Sequence, residues 1–557
     1  MKAVQAQRTV ERSGTDPLIV CAAGSLACRE PARLRRGGQD YPSRTVSKAP
    51  WTIPAWVRWA IPCALVGALA LAATALAADQ PQWGERYTRN MISAEKDLPD
   101  SFDPATGKNV KWIAHLGNET HGTPVVAGGK VLVGTNNGEP RDPRHQGDRG
   151  VLMCFDEKDG KFLWQLAVPK IGGDPYLDWP SGGICSPPSV EGERVYALSN
   201  RYEVMCLDLA GQANGNDGPY QDEGKHMAGR GAAPMAATPI DADILWSFDL
   251  VKDAGIYPHD AAHSSVLIDG PFLYVNTSNG VDNTHRKIRA IDAPALVVLE
   301  KATGRMVARD QEHLSPHTVH CTWSSPAMGE VNGRRLVFLG GPDGVVYAFE
   351  PLTAMPPAGQ VARLNCVWRF DCDPTGVKEN IHQYMGNRRE SPSNIKGMPV
   401  FYKNRIYVAA GGDIWWGKNE AWLKCIDASG TGDVTKTGQV WSCPVRLHCC
   451  ATPSIAGGLV FITDLGRTIH CVDAETGKPY WTQECKGEFW GSTLVADGKV
   501  YAGSRRGDFW ILAADKEKKV LSSIDLDSPI SSTPVAANGT IFISTQTRLY
   551  AVKKTAP

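Results

Sequence analysis

The sequence predicts an all-β fold, an eight-bladed β-propeller of four-stranded antiparallel blades, and three observations support this prediction. A unit of three short strands joined by Gly-containing turns and closed by a fourth strand recurs eight times between residues 108 and 557. The strands are rich in β-branched residues and recur at a regular spacing. The last copy lacks its fourth strand, and an isolated strand-like phrase precedes the first copy. Sheets repeated in this way form the blades of a propeller.

The composition excludes several classes of protein. The 557 residues carry no net formal charge, and 21% of them are charged, which argues against disorder and against a nucleic-acid partner. No Walker or Rossmann signature is present. No CxxCH occurs either, so no c-type haem is attached covalently.

The N-terminal region divides into three segments. Residues 1–59 are rich in Arg, Ser and Gly without periodicity, which predicts an unstructured or over-extended start. Residues 60–78 form an apolar run ending in ALAAD, typical of a secretory signal peptide, although an uncleaved membrane anchor fits the same length. Cleavage predicts a periplasmic or otherwise exported protein, and retention predicts attachment to the inner membrane. Residues 79–107 are a lead-in to the propeller.

The best copy of the repeat lies at residues 448–481, HCCATPSIAGGLVFITDLGRTIHCVDAETGKPYW. Its strands alternate with a Gly-Gly turn and a turn at Gly466. The orphan phrase KNVKWIAHL, before the first copy, resembles a fourth strand. We therefore predict that Val110–His115 completes blade eight and closes the ring, which removes the last exposed sheet edge.

Four cysteines occupy one position of the repeat. Other copies place Ala there, so a small buried side chain explains all four, and we predict that they are structural. They are Cys154, Cys206, Cys425 and Cys471.

Strand direction predicts which loops share a face. The loops that enter each first strand, and those between second and third strands, open on one face, here called the top face. We expect the residues just before the first strands to ring the channel mouth, a concave site for a small-molecule or protein ligand. They are His121, Cys185, His263, His320, Trp323, Arg389, Glu390, His448, Cys449, Cys450 and Trp490. On the opposite face, residues 210–239 are predicted to be a flexible insert.

The phrase D-x-x-T-G-K-x-x-W, clearest at residues 471–481 and 154–164, resembles the tryptophan-docking repeat of pyrroloquinoline quinone (PQQ) propellers, the quinoprotein alcohol dehydrogenase-like fold. The resemblance covers residues 112–553, and PQWGERYTRNMIS is similar to the start of many exported PQQ-repeat proteins. The docking Trp packs between neighbouring blades, so it indicates the fold and gives no information about activity. The resemblance implies either a scaffold propeller, similar to the PQQ-repeat outer-membrane assembly factor, or a PQQ- and Ca²⁺-dependent oxidoreductase.

A quinone site in this family uses a disulfide between adjacent cysteines, and Cys449 and Cys450 resemble that pair. The family's pair occurs early in the chain, whereas this one occurs late. A vicinal disulfide, two separate disulfides and chance adjacency remain open. The resemblance would place further mouth residues around PQQ, namely His121, His263, Trp323, Arg389, His448 and Trp490.

The phrase NTSN, ending at Asn279, resembles the family's Ca²⁺-binding GTGN loop. Ca²⁺ takes six to eight oxygen ligands, so a carboxylate from Glu139 or Glu203 is expected beside Asn279. The alternative is a turn Asn followed by Gly280.

The segment 313–326, HLSPHTVHCTWSSP, aligns with the family's catalytic-aspartate segment but contains no Asp or Glu. His317 and His320 are the candidate substitute bases. The family's floor Trp is replaced by HDAAHSS, which contains His259 and His263. The pairs His259–His263 and His317–His320 have spacings that suit a metal, although structural or surface roles explain them equally. With these parts missing, the sequence favours a ligand- or protein-binding scaffold propeller, and the quinoprotein oxidoreductase is the alternative.

Overall fold

The computed structural model describes residues 78–555, which form eight antiparallel sheets arranged as the blades of a propeller. Each blade contains four main strands, so the predicted fold is confirmed. The predicted unstructured segment 1–59 and all but the last residue of segment 60–78 lie outside the described residues. Within residues 78–555, no helix combines the length and the apolar character needed to span a membrane.

The blades follow one another along the chain. Blades one to four contain Val125–Ala127, Lys130–Asn136, Arg149–Asp156, Phe162–Pro169; Ser189–Glu191, Arg194–Leu198, Glu203–Asp208, Ile244–Asp249; Leu267–Asp269, Phe272–Asn276, Leu296–Glu300, Met306–Arg309; and Ala327–Val331, Arg334–Gly340, Val345–Phe349, Cys366–Asp371. Blades five to eight contain Val400–Tyr402, Arg405–Gly412, Ala421–Asp427, Gln439–Pro444; Ser454–Ala456, Leu459–Asp464, Thr468–Asp473, Pro479–Glu484; Leu494–Ala496, Lys499–Gly503, Asp508–Ala513, Val520–Asp525; and Val535–Ala537, Thr540–Ser544, Arg548–Val552, Val110–His115.

Short elements decorate this frame. The extra strands are Ile92–Ser93, Ala362–Arg363, Ser393–Asn394 and Gly432–Asp433. The α-helices are Glu223–Ala228 and Leu250–Asp253, and the 3₁₀ turns are Pro175–Leu177, Gly211–Asn214, Ser315–His317 and Ile381–Tyr384.

The ring closes as the sequence predicts. Val110–His115 pairs antiparallel with Arg548–Val552, with Trp112 opposite Ala551. The backbone N–H of Leu116 then donates to the carbonyl of Thr547 at 2.9 Å. The last blade therefore borrows its outer strand from the start of the propeller, and both ends of the ring are paired.

The docking tryptophans join neighbouring blades by a common contact. Each indole N–H donates to a backbone carbonyl of the following blade, at 2.9 to 3.2 Å. They are Trp112, Trp164, Trp246, Trp368, Trp441 and Trp481. The indole ring of a docking Trp also packs against a turn Gly of the next blade. A Cβ on Gly477, for example, would lie 2.6 Å from Trp441 Cδ2. The four repeat-position cysteines are buried, in agreement with their predicted structural role.

Gly477→Ala is expected to destabilise the propeller by roughly 2–4 kcal/mol. The residue has φ of 72°, which disfavours an L side chain, and the new methyl group would clash with Trp441. Thermal unfolding would measure the loss. Gly458→Ala is the matched control, because Gly458 has φ of 81° with open space around its Cβ position. Equal losses in the two variants would show that the contact with Trp441 contributes nothing.

The lead-in runs along the inner strands of the whole ring. It reaches all eight blades through hydrogen bonds, and the residues contacted are Val126, Val190, Ser265, Met328, Phe401, Ile455, Val495 and Ala536. These residues lie in or directly before the first strand of each blade. The lead-in therefore occupies the central channel, and residues 79–107 are here called the plug. Its Arg89 side chain is fully buried.

The insert 210–239 differs from its prediction as a flexible segment. It contains a 3₁₀ turn and the helix Glu223–Ala228, and Glu223, His226 and Met227 are buried. His226 Nε2 lies 3.0 Å from Glu203 Oε2 on blade two. This buried contact, made to the strand that precedes the insert, is not revealed by the Gly- and Ala-rich composition.

Candidate functional site

A cavity of about 350 Å³ lies among the top-face loops. His263 and Trp323 line it, and the segments that follow them, at Ser265 and Pro326, are hydrogen-bonded by Arg89 of the plug. The cavity is therefore backed by the lead-in rather than continuing as an open channel. Its aromatic walls are formed by Tyr176, Trp179, Trp323, Trp415, Trp416 and Trp490.

Three histidines converge beside this cavity. His259 precedes the first strand of blade three, His285 lies between the second and third strands of that blade, and His320 precedes blade four. The Nε2 atom of His259 lies 3.1 Å from that of His285 and 3.0 Å from that of His320. The residues are 0%, 7% and 2% exposed, respectively. His285 and His320 also line the cavity, so the cluster faces it.

Burial disfavours the charged form of two of these histidines, His259 and His285. Burial, reinforced by His320 and His285, lowers the pKa of His259 to about 2. Burial and His320 also lower the pKa of His285. Neutral imidazole nitrogen is the form that ligates metals. Ligand nitrogens about 2.0–2.1 Å from a tetrahedral ion stand roughly 3.3 Å apart, close to the separations seen here.

The NTSNG segment positions two of the three histidines. Asn279 accepts the Tyr257 N–H through Oδ1 at 2.9 Å and donates to Ser315 Oγ at 2.8 Å, which ties together the loops that carry His259 and His320. A Cβ on Gly280 would lie 2.5 Å from the Cβ of His259, so only Gly permits this approach.

Asp413 orients the His320 ring. Its Oδ2 lies 3.2 Å from His320 Nδ1, the nitrogen facing away from the cluster, and 3.4 Å from Lys396 Nζ. Burial alone would raise the pKa of Asp413, but His320 and Lys396 hold it well below its usual value. The backbone N–H groups of Trp415 and Trp416 both donate to Oδ1 at 3.1 Å. A buried carboxylate on the outer nitrogen is the usual support of a metal-binding imidazole.

Asp260 places a carboxylate next to the cluster. Its oxygens lie 3.6 Å from His259 Nε2 and 3.4 Å from His320 Nε2, and it lines the cavity. Its φ is 61°, a strained value for a residue with a side chain. The backbone is held there by hydrogen bonds of 2.7 Å with Tyr176 and Trp179.

The predicted mouth residues separate into two groups. His121, Cys185, His263, Trp323 and Trp490 line the cavity, and His320 belongs to the histidine cluster. Of the others, Arg389 and Glu390 are exposed, and His448 is buried with Nδ1 2.9 Å from the Gly412 carbonyl oxygen. His317, predicted as a candidate base, is exposed as well.

The adjacent cysteines are free thiols, so neither of the disulfide alternatives is formed in the structure. Cys449 donates to the Thr463 carbonyl at 3.1 Å. Burial raises the pKa of Cys449 well above its usual value and that of Cys450 to about 12. Thiols in this environment are packing residues rather than nucleophiles.

The predicted calcium ligands do not form an oxygen cage. Both ends of the Asn279 amide are used in hydrogen bonds within the protein. Glu139 is exposed, whereas Glu203 is buried and bonded to His226, Arg201 and Ser199.

Sequence reasoning missed His285, Asp260 and Asp413 as site residues. His285 and Asp413 lie in the loops between the second and third strands of blades three and five, which belong to the predicted top face. His259 and His320 were considered for metal binding, but with partners four and three residues away rather than with each other. Because the three histidines come from loops of two blades, no fixed spacing between them marks the cluster in the sequence.

Comparison with known proteins found a matching family model and several similar solved structures. Residues 95–215 and 409–520 match a family model described as outer membrane protein assembly factor BamB. No curated protein sequence matches significantly. Similar solved structures include BamB from Moraxella catarrhalis, at 11% identity and a TM-score of 0.46, covering 79% of this chain and 96% of that one.

Quinohemoprotein alcohol dehydrogenase from Comamonas testosteroni is also similar, at 14% identity and a TM-score of 0.45, covering 86% of this chain and 81% of that one. The computationally designed Ika8 protein matches at 11% identity and a TM-score of 0.43, covering 83% and 99%. Likeness at these levels carries no information about ligands. The family-model match and the eight blades support the family of PQQ-repeat β-propellers.

Proposed function

We propose that this chain, a β-propeller built from PQQ-type repeats, is a transition-metal-dependent enzyme that binds a small molecule in the mouth of its channel. One observation carries the proposal: three buried imidazoles converge through Nε2 at 3.0 and 3.1 Å beside a cavity of about 350 Å³. Three histidines with one position left for water or substrate is a recurring catalytic zinc arrangement.

The donor set selects the class of metal. Imidazole nitrogen suits Zn²⁺, Cu²⁺, Fe²⁺ and Ni²⁺, whereas Ca²⁺ and Mg²⁺ prefer oxygen. A transition-metal ion supplies Lewis-acid activation of a bound water or substrate oxygen. Within the protein, Asp260 is placed to accept a proton beside the cluster, and Asp413 holds the His320 ring. The aromatic walls and the plug shield the site from bulk water.

The quinoprotein alternative fits the residues poorly. Calcium needs oxygen ligands, and the Asn279 amide and the Glu203 carboxylate are already engaged in the protein. Cys449 and Cys450 are free thiols, Cys449 buried and Cys450 partly buried. No step of the proposed chemistry therefore passes through PQQ or calcium.

A second candidate is the binding or scaffold propeller that the sequence favours. Trp179 and Trp415 are 45% and 37% exposed at the rim of the cavity, and exposed Trp side chains are typical anchors for a protein partner. This function and the metal centre share the top face. A partner docked there would cover the cavity.

The proposed location is outside the cytoplasm. The apolar run 60–78 with its small-residue ending supports export, as does the family model, whose description names an outer-membrane assembly factor. Expression with reporter fusions after residue 78 would test this.

Metal analysis tests the central proposal. The full chain, purified and then dialysed without chelator, is expected to hold about one transition-metal ion per chain. Co²⁺ substituted for the native ion should give visible d–d absorption bands. Less than about a tenth of an ion after reconstitution with Zn²⁺, Cu²⁺ or Fe²⁺ would overturn the proposal. Stoichiometric PQQ binding instead would support the quinoprotein alternative.

Asp413→Asn is expected to weaken metal affinity about 10–100-fold, because the His320 ring loses its orienting carboxylate. Competition with a chromophoric chelator would measure the change. Asp373→Asn is the matched control: Asp373 is also buried and paired with a lysine, Lys418 at 2.7 Å, but does not contact the cluster. If both variants weaken binding equally, Asp413 has no specific positioning role.

A further inference from the structure

A second, chemically different cluster lies on blade two, where the insert 210–239 leaves the sheet. Asp208 ends the strand Glu203–Asp208, Asp243 directly precedes the strand Ile244–Asp249, and Asp217 belongs to the insert. One carboxylate oxygen from each lies within 4.8 Å of the other two. Asp208 and Asp243 are fixed against each other, because the Asp208 N–H donates to the Asp243 carbonyl at 3.0 Å.

The buried carboxylate of Asp243 has no counter-charge of its own. The residue is 0% exposed, and neither carboxylate oxygen has a hydrogen-bond partner within residues 78–555. The neighbouring guanidinium of Arg194 bonds Asp208 Oδ2 at 2.6 Å instead. Burying an unpaired carboxylate is strongly unfavourable, so such groups are protonated, paired or bound to a metal.

We propose that Asp208, Asp217 and Asp243 bind a Ca²⁺ ion that fastens the insert to blade two. The donors are all oxygen, the type that Ca²⁺ prefers. The three oxygens lie within 4.8 Å of one another, a separation that Ca²⁺–oxygen bonds of about 2.3–2.6 Å can bridge. Ca²⁺ also accepts irregular coordination, whereas Mg²⁺ demands near-ideal octahedral geometry. Asp217 is exposed, which leaves room for water to complete the coordination.

This site goes beyond the proposed function, because it lies apart from the channel mouth and uses oxygen rather than nitrogen donors. Its effect would be structural. Elsewhere the insert is held by His226 with Glu203 and by hydrogen bonds from Arg144 and Arg149 of blade one. The rival explanation is a proton shared by Asp217 and Asp243, since burial and the facing Asp217 carboxyl raise the pKa of Asp243 to about 6.

The test is a Ca²⁺ titration of the full chain after treatment with EGTA. Ca²⁺ is expected to raise the unfolding temperature saturably and to slow proteolysis within residues 211–239, with Mg²⁺ having little effect. Asp243→Asn and Asp217→Asn should each weaken Ca²⁺ binding at least about tenfold. Asp217 is exposed, so its variant should fold even if the Asp243 variant does not. Asp222→Asn, in the same insert but outside the cluster, is the control.

Three results would overturn the proposal. The first is a wild-type chain whose stability does not respond to Ca²⁺. The second is a Ca²⁺ response that survives in both cluster variants, which would place the ion elsewhere. The third is a wild type that does not respond to Ca²⁺ together with an Asp243→Asn variant that is more stable than it. That result would support a proton shared by Asp217 and Asp243. Transition-metal content, measured on the same samples, reports on the channel mouth separately.

Discussion

Replacing His285 with Asn is expected to abolish tight binding of the metal at the channel mouth. Structural Zn²⁺ sites contribute about 10–16 kcal/mol from four ligands, so losing one ligand removes roughly 3 kcal/mol, a hundredfold or more in affinity. Asn is the appropriate substitute because His285 has φ of 56°, a conformation that Asn tolerates. Metal content after gel filtration, and chelator competition, would measure the loss.

His317→Asn is the control for this experiment. His317 is exposed and lies three residues before His320. The variant therefore tests whether removing any histidine close to the cluster lowers metal binding. It should retain full metal content and an unchanged unfolding temperature. Full occupancy in the His285 variant would show that another set of residues holds the ion and would remove the basis of the proposed enzyme.

The fold was predictable because its determinants are local and repeated. Each blade carries its own strands and turns, and the TGK turn and docking Trp recur at fixed spacing, as in Gly477 and Trp481. The closing strand Val110–His115 was predictable for the same reason, since an incomplete last copy and an orphan first strand complement each other. Such features need no knowledge of distant contacts.

The site was predictable in position but not in composition. The rule that residues just before the first strands face the channel mouth agrees with the placement of His263, Trp323 and Trp490 along the cavity. The cluster itself depends on how three loops from two blades fold over one another, which is set by contacts such as Asn279 with Tyr257 and Ser315. These contacts use common residue types at separations that vary with loop length.

The plug shows the same limit more sharply. Five of the eight blades are joined to it by backbone–backbone hydrogen bonds, for example Tyr87 with Met328 and Thr88 with Phe401. Backbone groups are identical in every residue, so such contacts leave little trace in the sequence. A lead-in of ordinary composition thereby becomes the element that closes the channel behind the histidine cluster.

Arg89→Met is expected to destabilise the propeller by roughly 4 kcal/mol or more, because several buried carbonyls lose their donor together. The guanidinium donates to the carbonyls of Pro326, Trp83, Ser265 and Val266 at 3.0 to 3.1 Å. Burial lowers its pKa to about 9, so it remains charged at neutral pH. Unfolding temperature and protease release of the lead-in would both report the loss.

Arg86→Met is the matched control for Arg89, three residues earlier in the same lead-in. Its guanidinium is mostly exposed and pairs with Glu191 at 3.2 Å, an interaction worth at most about 1 kcal/mol. Arg89→Lys should fall between the two, since an ammonium group keeps the charge but cannot reach four carbonyls at once. If the Arg89 and Arg86 variants unfold at the same temperature, the lead-in does not hold the blades together. In that case the histidine cluster must derive its rigidity from the top-face loops alone.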